Sequence, residues 1–468
     1  KRDQNGSVHG FTYDKLGRQL HDWVETLASG VDGQVRRLSR VYGVAGRLET
    51  ITSHDHRYPK CGSIVNQVLF QYNDVGLPSA EYQSHDGVVD MASTPKVQYA
   101  YDDTAVSGEF TKGLRPISLT YPNGRVVRYE YAEDSSSSGA SCDPDDCLNR
   151  IKFIADDDEG AVGTHLAEYT RLGLNSIVQV DYTEPGIRYD LAHGTGDDPY
   201  AGLDRFGRVV DLLWHNYDTG EDVVRIKHGY DRAGNRLYRE DPVAAAQGVH
   251  MDEAYTYDGL YQLKTFVRGA LNAQKTAIAA PTFRQAWNFD TTGNWTQFRE
   301  DKDGDGKWEL EQTRQHNAVN EITAIDASVG DICISPTHDR NGNMLRIPQP
   351  NDPTKQFALK WDAWNRLVRV SDADSVIAEY AYDARNFRVV KRVYRDPSDP
   401  LSTFGSPLSR HFYYNADWQC LEECLDTATP PDRQFVWGPR YVDDLVLRDR
   451  DTADPGDVGT TRSAVARL

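Results

Sequence analysis

The sequence predicts an all-β chain, a tandem array of antiparallel β-hairpins, and three observations predict it. An eight-residue frame recurs along the 468 residues: "YDKLGRQL" from Tyr13, "LDRFGRVV" from Leu203, "YDRAGNRL" from Tyr230, "FDTTGNWT" from Phe289, "HDRNGNML" from His338, "WDAWNRLV" from Trp361 and "YDARNFRV" from Tyr382. The composition favours strands and turns, with 26 Tyr and 9 Trp against 3 Met. Flanks such as "RVVRYEYA" and "VIAEYAYD" alternate apolar and charged residues with period two. Frames begin roughly 20 to 35 residues apart, room for two strands and two turns, so one repeat array replaces the several domains such a length would ordinarily imply.

Each part of the frame has a turn-forming reason. With the aromatic or apolar residue as position zero, position plus four is Gly17, Gly46, Gly76, Gly173, Gly207, Gly234, Gly293 or Gly342, or else Asn320, Asn365 or Asn386. Glycine and asparagine best tolerate a left-handed backbone. Position plus one is commonly Asp or Asn, whose side chain caps the amides of a type I turn. A type I turn closed by a left-handed residue is a hairpin connection with a bulge. Three frames, at Tyr101, Tyr257 and Tyr413, have no Gly or Asn at plus four and are placed only by their aromatics.

Between hairpins, "ALNAQKTAIAA" from Ala270 to Ala280 predicts a helical insertion, and the Ser-, Pro- and Gly-rich stretches 132–147 and 395–409 predict loops. One architectural unit is expected over residues 1–450, followed by an acidic tail over 451–468.

The repeated Tyr-Asp-x-x-Gly-Arg frame resembles the YD repeats of Rhs proteins, of the C components of bacterial toxin complexes and of the teneurin shell. "QFVWGPRYVDDLVLRDRD", Gln434 to Asp451, resembles the lead-in to the Rhs-associated core. The resemblance implies a sheet wound as a spiral into a hollow shell, incomplete in a segment of this length. It also implies a C-terminal effector domain of the same polypeptide as partner, of the polymorphic toxin type, and a secreted or cell-surface location. Cell-surface carbohydrate is the alternative partner that the resemblance offers. The self-cleavage motif of toxin-bearing members is absent, and Asp443 and Asp444 read as turn residues of "YVDDLVL" rather than self-cleaving aspartates.

Charge and motifs narrow the function further. A net charge of −19 without a basic run disfavours nucleic acid. No apolar run is long enough to span a membrane. GxSxG, HExxH and GxxxxGK are all missing, and the one Ser-x-x-Lys match, Ser93 to Lys96, contains Pro95, which breaks the helix that chemistry needs. A non-enzymatic protein is expected. The candidate metal site is "DKDGDGKWELEQ": Asp301, Asp303 and Asp305 alternate, Gly306 bends the chain, and Lys307, Glu309 and Glu311 follow, the order of a calcium loop, although its twelfth position is Gln312. A solvated acidic turn is the competing reading, as it is for "ADDDEG" at Ala155 to Gly160. Six cysteines form no CxxC pair, which disfavours structural zinc, whereas Cys142 and Cys147 are spaced to close a small loop by a disulfide.

Overall fold

A computed structural model of the chain describes residues 1–102, 114–132, 143–193, 201–373, 375–396, 399–426, 431–451 and 460–464. Strand accounts for 56% of the structure and helix for 3%, so the all-β expectation holds. Chain contacts group into two compact units, one formed by 1–167, 339–345 and 357–468, the other by 168–338 and 346–356. Among the described residues no helix is long and apolar enough to cross a membrane, which says nothing of a β-barrel.

In the first unit, successive strands from Val8–Tyr13 to Phe153–Asp158 pair antiparallel, each with the next. A second run in the same unit, from Leu367–Ser371 to Thr460–Ala464, is built the same way. Leu38, Ile51 and Val68 of the first run bury against Ala384 of the second and against Trp364 in the turn that leads into it. The second unit carries the meander from Ser176–Tyr182 to Ile322–Val329.

The turn frame is uniform. At Tyr13 the Gly17 amide bonds the Asp14 carbonyl at 3.1 Å and the Asp14 amide bonds the Arg18 carbonyl at 3.0 Å, and the same two bonds recur at Asp204, Asp231, Asp290, Asp339, Asp362 and Asp383. Asp14 Oδ1 accepts from the amides of Leu16 and Arg18, both at 2.9 Å. The register slips by one residue immediately before Tyr13, Tyr42, Tyr72, Tyr230, Phe289, Trp361 and Tyr382, which is the bulge a closing left-handed residue demands. Gly17 has φ +80° with open space where a Cβ would sit, so its conformation selects glycine. At Gly76, with φ +95°, the left-handed backbone again selects glycine.

Several expectations change. "ALNAQKTAIAA" is a hairpin: Leu263–Leu271 pairs with Ile278–Phe289, and Lys275 turns the corner at φ +56°. Cross-strand pairing there overrides the helix propensity of Ala, Gln and Lys. The 395–409 stretch is mostly strand among its described residues, since Asp399–Tyr414 pairs back onto Arg388–Asp396. Within 132–147, Pro144–Cys147 forms a helical turn capped by Asp143, and 133–142 lie outside the described residues. Gly173 has φ +64° but follows the strand Ala161–Leu172 directly, so Tyr169 is a mid-strand residue rather than position zero of a frame. The frame expected at Tyr413 begins one residue later, at Tyr414; it and the frame at Tyr257 are ordinary members, with left-handed corners at Trp418, φ +70°, and Tyr261, φ +63°. At Tyr101 the strands Lys96–Tyr101 and Pro116–Thr120 pair, and 103–113 lie outside the described residues.

Candidate functional site

The repeat residues make two further contacts, each running from one turn to the next. The side chain at plus five reaches the following turn, at its plus-four residue or its plus-one carbonyl: Arg18 Nη1 donates to the Gly46 carbonyl at 2.7 Å, Arg208 Nη1 to the Asp231 carbonyl at 3.2 Å, Asn294 Nδ2 to Asn320 Oδ1 at 2.9 Å, Asn343 Nδ2 to Asn365 Oδ1 at 2.9 Å and Arg366 Nη1 to the Asp383 carbonyl at 3.0 Å. The aromatic at zero reaches back to the plus-six carbonyl of the preceding turn. Tyr72 donates to Leu48, Tyr230 to Val209, Tyr257 to Arg236 and Tyr382 to Leu367, each at 2.8 Å. Trp361 Nε1 donates to Met344 and Trp437 Nε1 to Cys420, both at 2.7 Å. Tyr and Trp suit this position because each joins an apolar body to a donor.

Arginine interleaves between the repeating aromatics. Arg18 lies 4.4 Å from the Tyr42 ring centre, Arg208 4.6 Å from that of Tyr230 and Arg366 5.3 Å from that of Tyr382. A guanidinium over a ring face gains attraction that two parallel rings do not. The plus-five arginine therefore packs on the next aromatic and bonds a carbonyl of the next turn.

Polar links also join the two strand runs of the first unit. Asn66 Nδ2 donates to the Tyr382 carbonyl at 2.8 Å, the Gln83 side chain exchanges two bonds with the Tyr414 backbone, and Tyr121 donates to the Phe435 carbonyl at 2.7 Å. Arg385 bridges Asp383 and Glu81, both contacts at 2.8 Å, and burial pushes the Glu81 carboxyl up against the pull of that arginine. Sequence reasoning missed all of these, because partners some 300 residues apart leave no local pattern.

The acidic loop brings Asp301, Asp303, Asp305 and Glu309 together, with one carboxylate oxygen from each within 4.8 Å of the others. Asp301 is buried and accepts the Gly304 and Gly306 amides at 2.6 and 2.9 Å; Glu309 accepts the Lys302 amide at 2.6 Å. Lys307 turns its ammonium onto Asp305 at 2.7 Å. Glu311 does not join the cluster: it stands on the strand Leu310–His316, where it accepts from Gln297 at 2.8 Å. In "ADDDEG", Asp156 and Asp157 pair with Arg125 and Arg128, and Glu159 and Gly160 make the turn. Asp443 and Asp444 lie in the turn before Leu445–Asp451, with Asp444 paired to Arg440. Cys147 is disulfide-bonded; Cys142 lies outside the described residues, and Cys61, Cys333, Cys420 and Cys424 are free thiols.

No protein-family profile and no curated protein matches the sequence. Solved structures do match. The crystal structure titled TcdB2-TccC3 without hypervariable C-terminal region aligns over 98% of this chain at TM-score 0.57 and 12% identity. The fold is shared. The TcdB2-TccC3-TEV structure aligns over 96% at TM-score 0.56 and 13% identity, and TcdB2-TccC3-Cdc42 over 94% at 0.52 and 12%. This chain spans 22 to 24% of the length of those chains.

Proposed function

We propose that this chain is a non-enzymatic segment of an Rhs-like β-shell that encloses or presents a C-terminal effector of the same polypeptide. The observation that carries this reading is the set of turn-to-turn bonds, which ties neighbouring repeat hairpins together through capping and packing side chains rather than through a cluster of catalytic groups. A wall needs continuity more than chemistry. Limited proteolysis of the full-length natural polypeptide tests it: the segment beyond the shell should stay intact while the shell is folded and be digested once the shell is denatured. Digestion of that segment at the rate of the free peptide would count against containment.

Adhesion to cell-surface carbohydrate is the second reading, favoured by Trp418 and Tyr441, 71% and 63% exposed. They lie on neighbouring turns, since Gln419 bonds the Tyr441 and Val442 carbonyls. A saccharide array should show weak binding that Trp418→Ala abolishes, and a blank array removes this reading.

For the acidic loop the reading is calcium. Four converging carboxylates face two nearby cations, Lys307 and Arg284, which leaves excess negative charge that a hard cation would neutralise. Calcium at a hundredfold excess over its Kd should stabilise the fold by about 2.7 kcal/mol, and Asp303→Asn should remove that gain. Equal melting temperatures with calcium and with EDTA would leave a solvated acidic turn.

A further inference from the structure

The cavity in the first unit between the end of the strand Pro78–Ser84 and the strands Asp399–Tyr414 and Cys420–Leu425 has a volume of about 460 Å³, within the range of small-ligand sites. The β-register builds its floor: His411 pairs with Cys424 and Tyr413 with Glu422, and alternation turns all four to one face. His85 completes the floor, stacked on Tyr413 with ring centres 4.5 Å apart.

The charge of the lining is one-sided. Asp86, Asp90, Glu422 and Asp426 contribute carboxyls, and no lysine or arginine lines the cavity. Neither histidine supplies a cation. Their Nδ1 atoms meet at 3.0 Å and share one proton, and burial lowers the pKa of both, that of His85 to about 3. His85 Nε2 is buried without a partner, so that proton sits on His85 Nδ1 and leaves the cheaper orphan, a bare lone pair.

Glu422 is the deepest of the carboxyls, 1% exposed. Its Oε1 accepts from Gln434 Nε2 at 2.8 Å and from the Asn123 amide at 3.3 Å, while Oε2 accepts no hydrogen bond among the described residues. Arg125 lies nearby, but Asp156 and Asp449 engage it at 2.7 and 2.6 Å.

We infer that this cavity binds an organic cation, a guanidinium or primary ammonium group carried by a small ligand or a peptide side chain. The cation sits against the Tyr413 ring, with Glu422 Oε2 as counter-ion at the base and Asp86, Asp90 and Asp426 at the rim. Burial raises the Glu422 carboxyl to about 7, so binding a cation drives off its proton and strengthens as pH rises. Arg125 opposes that shift, and Arg385 and Arg392 act on the two imidazoles rather than on Glu422.

Isothermal titration of the whole chain with N-acetyl-argininamide and with spermidine, at 150 mM salt to suppress diffuse attraction, tests the assignment. At least one should bind, about tenfold tighter at pH 8 than at pH 6, the change in ionised fraction of a group titrating near 7. Binding of the first points to a peptide-borne group and of the second to a free polyamine. Glu422→Gln should abolish the pH dependence. Asp426→Asn, at the exposed rim and harmless to folding, should weaken binding about twofold to threefold. Absence of binding by both probes, or binding by Glu422→Gln with the native pH dependence, overturns the inference.

Discussion

The turn from Trp361 to Arg366 and the turn from Phe289 to Asn294 share a hydrogen-bond frame and differ in surroundings. In both, the plus-one Asp takes the amides at plus three and plus five on one oxygen and the plus-five side chain on the other. In the first, Arg366 and Asp362 are buried, with side-chain exposures of 6% and 2%, beneath Trp364 and next to the core of the first unit. In the second, Thr292 is exposed, and the neutral Asn294 takes the arginine's place. The frame thus tolerates core and solvent alike. Between these two turns the plus-five residue differs: in the first it is a buried charge that needs its partner, in the second a neutral amide.

That contrast can be broken in order of effect. Asp362→Ala leaves the Arg366 guanidinium buried without its counter-ion and should cost about 3–5 kcal/mol in denaturant unfolding, whereas Asp290→Ala should produce a severalfold smaller shift. Equal losses would mean that local capping, not burial, sets the stability of both turns. Next is Glu422, whose pKa is raised by burial from 4.5 to about 7. A carboxyl raised on folding contributes stability that is full below the unfolded value and is lost as pH rises through the folded one. Melting between pH 5 and 8 should therefore show the native chain losing on the order of 2 kcal/mol relative to Glu422→Gln; parallel curves would refute the shift. A smaller effect is expected at the aromatic handle, where Tyr382→Phe removes one part-buried bond worth about 1 kcal/mol and Tyr257→Phe, which removes a bond open to solvent, should cost less. Smallest is acid titration of Asp290, held well below the usual carboxylate range by Asn294 and Thr292. Its contribution is present at neutral pH and fades as pH falls below the unfolded value of 3.8, and an NMR titration of its carboxyl would locate the loss.

The legible part of this fold was the part whose chemistry is local. Asp14, Gly17 and Asn365 announce their turn because the cap and the left-handed corner lie within five residues. Tyr261 and Trp418 hold the same corner without the residue type that signals it, so their frames could only be placed loosely. Nothing near Arg18 in sequence says that it will cap Gly46, because that contact exists only once two hairpins lie side by side. Ala270 to Ala280 misled for the opposite reason, a strong local helix signal defeated by strands on both sides. Of the acidic loop, Asp301, Asp303, Asp305 and Glu309 were legible from spacing, whereas the exclusion of Glu311 follows from a strand that starts at Leu310. The organic-cation cavity was invisible, its floor being assembled from residues near 85 and residues 411–424.

The central claim is that the repeat turns among the described residues are hydrogen-bonded joints between neighbouring hairpins rather than loose connections. Hydrogen exchange of the plus-four amides measures this directly. Gly17, Gly234, Asn365 and Asn386 should exchange as slowly as the strands they join, and exchange of these amides at the rate of exposed positions such as Asp86 would contradict the ladder.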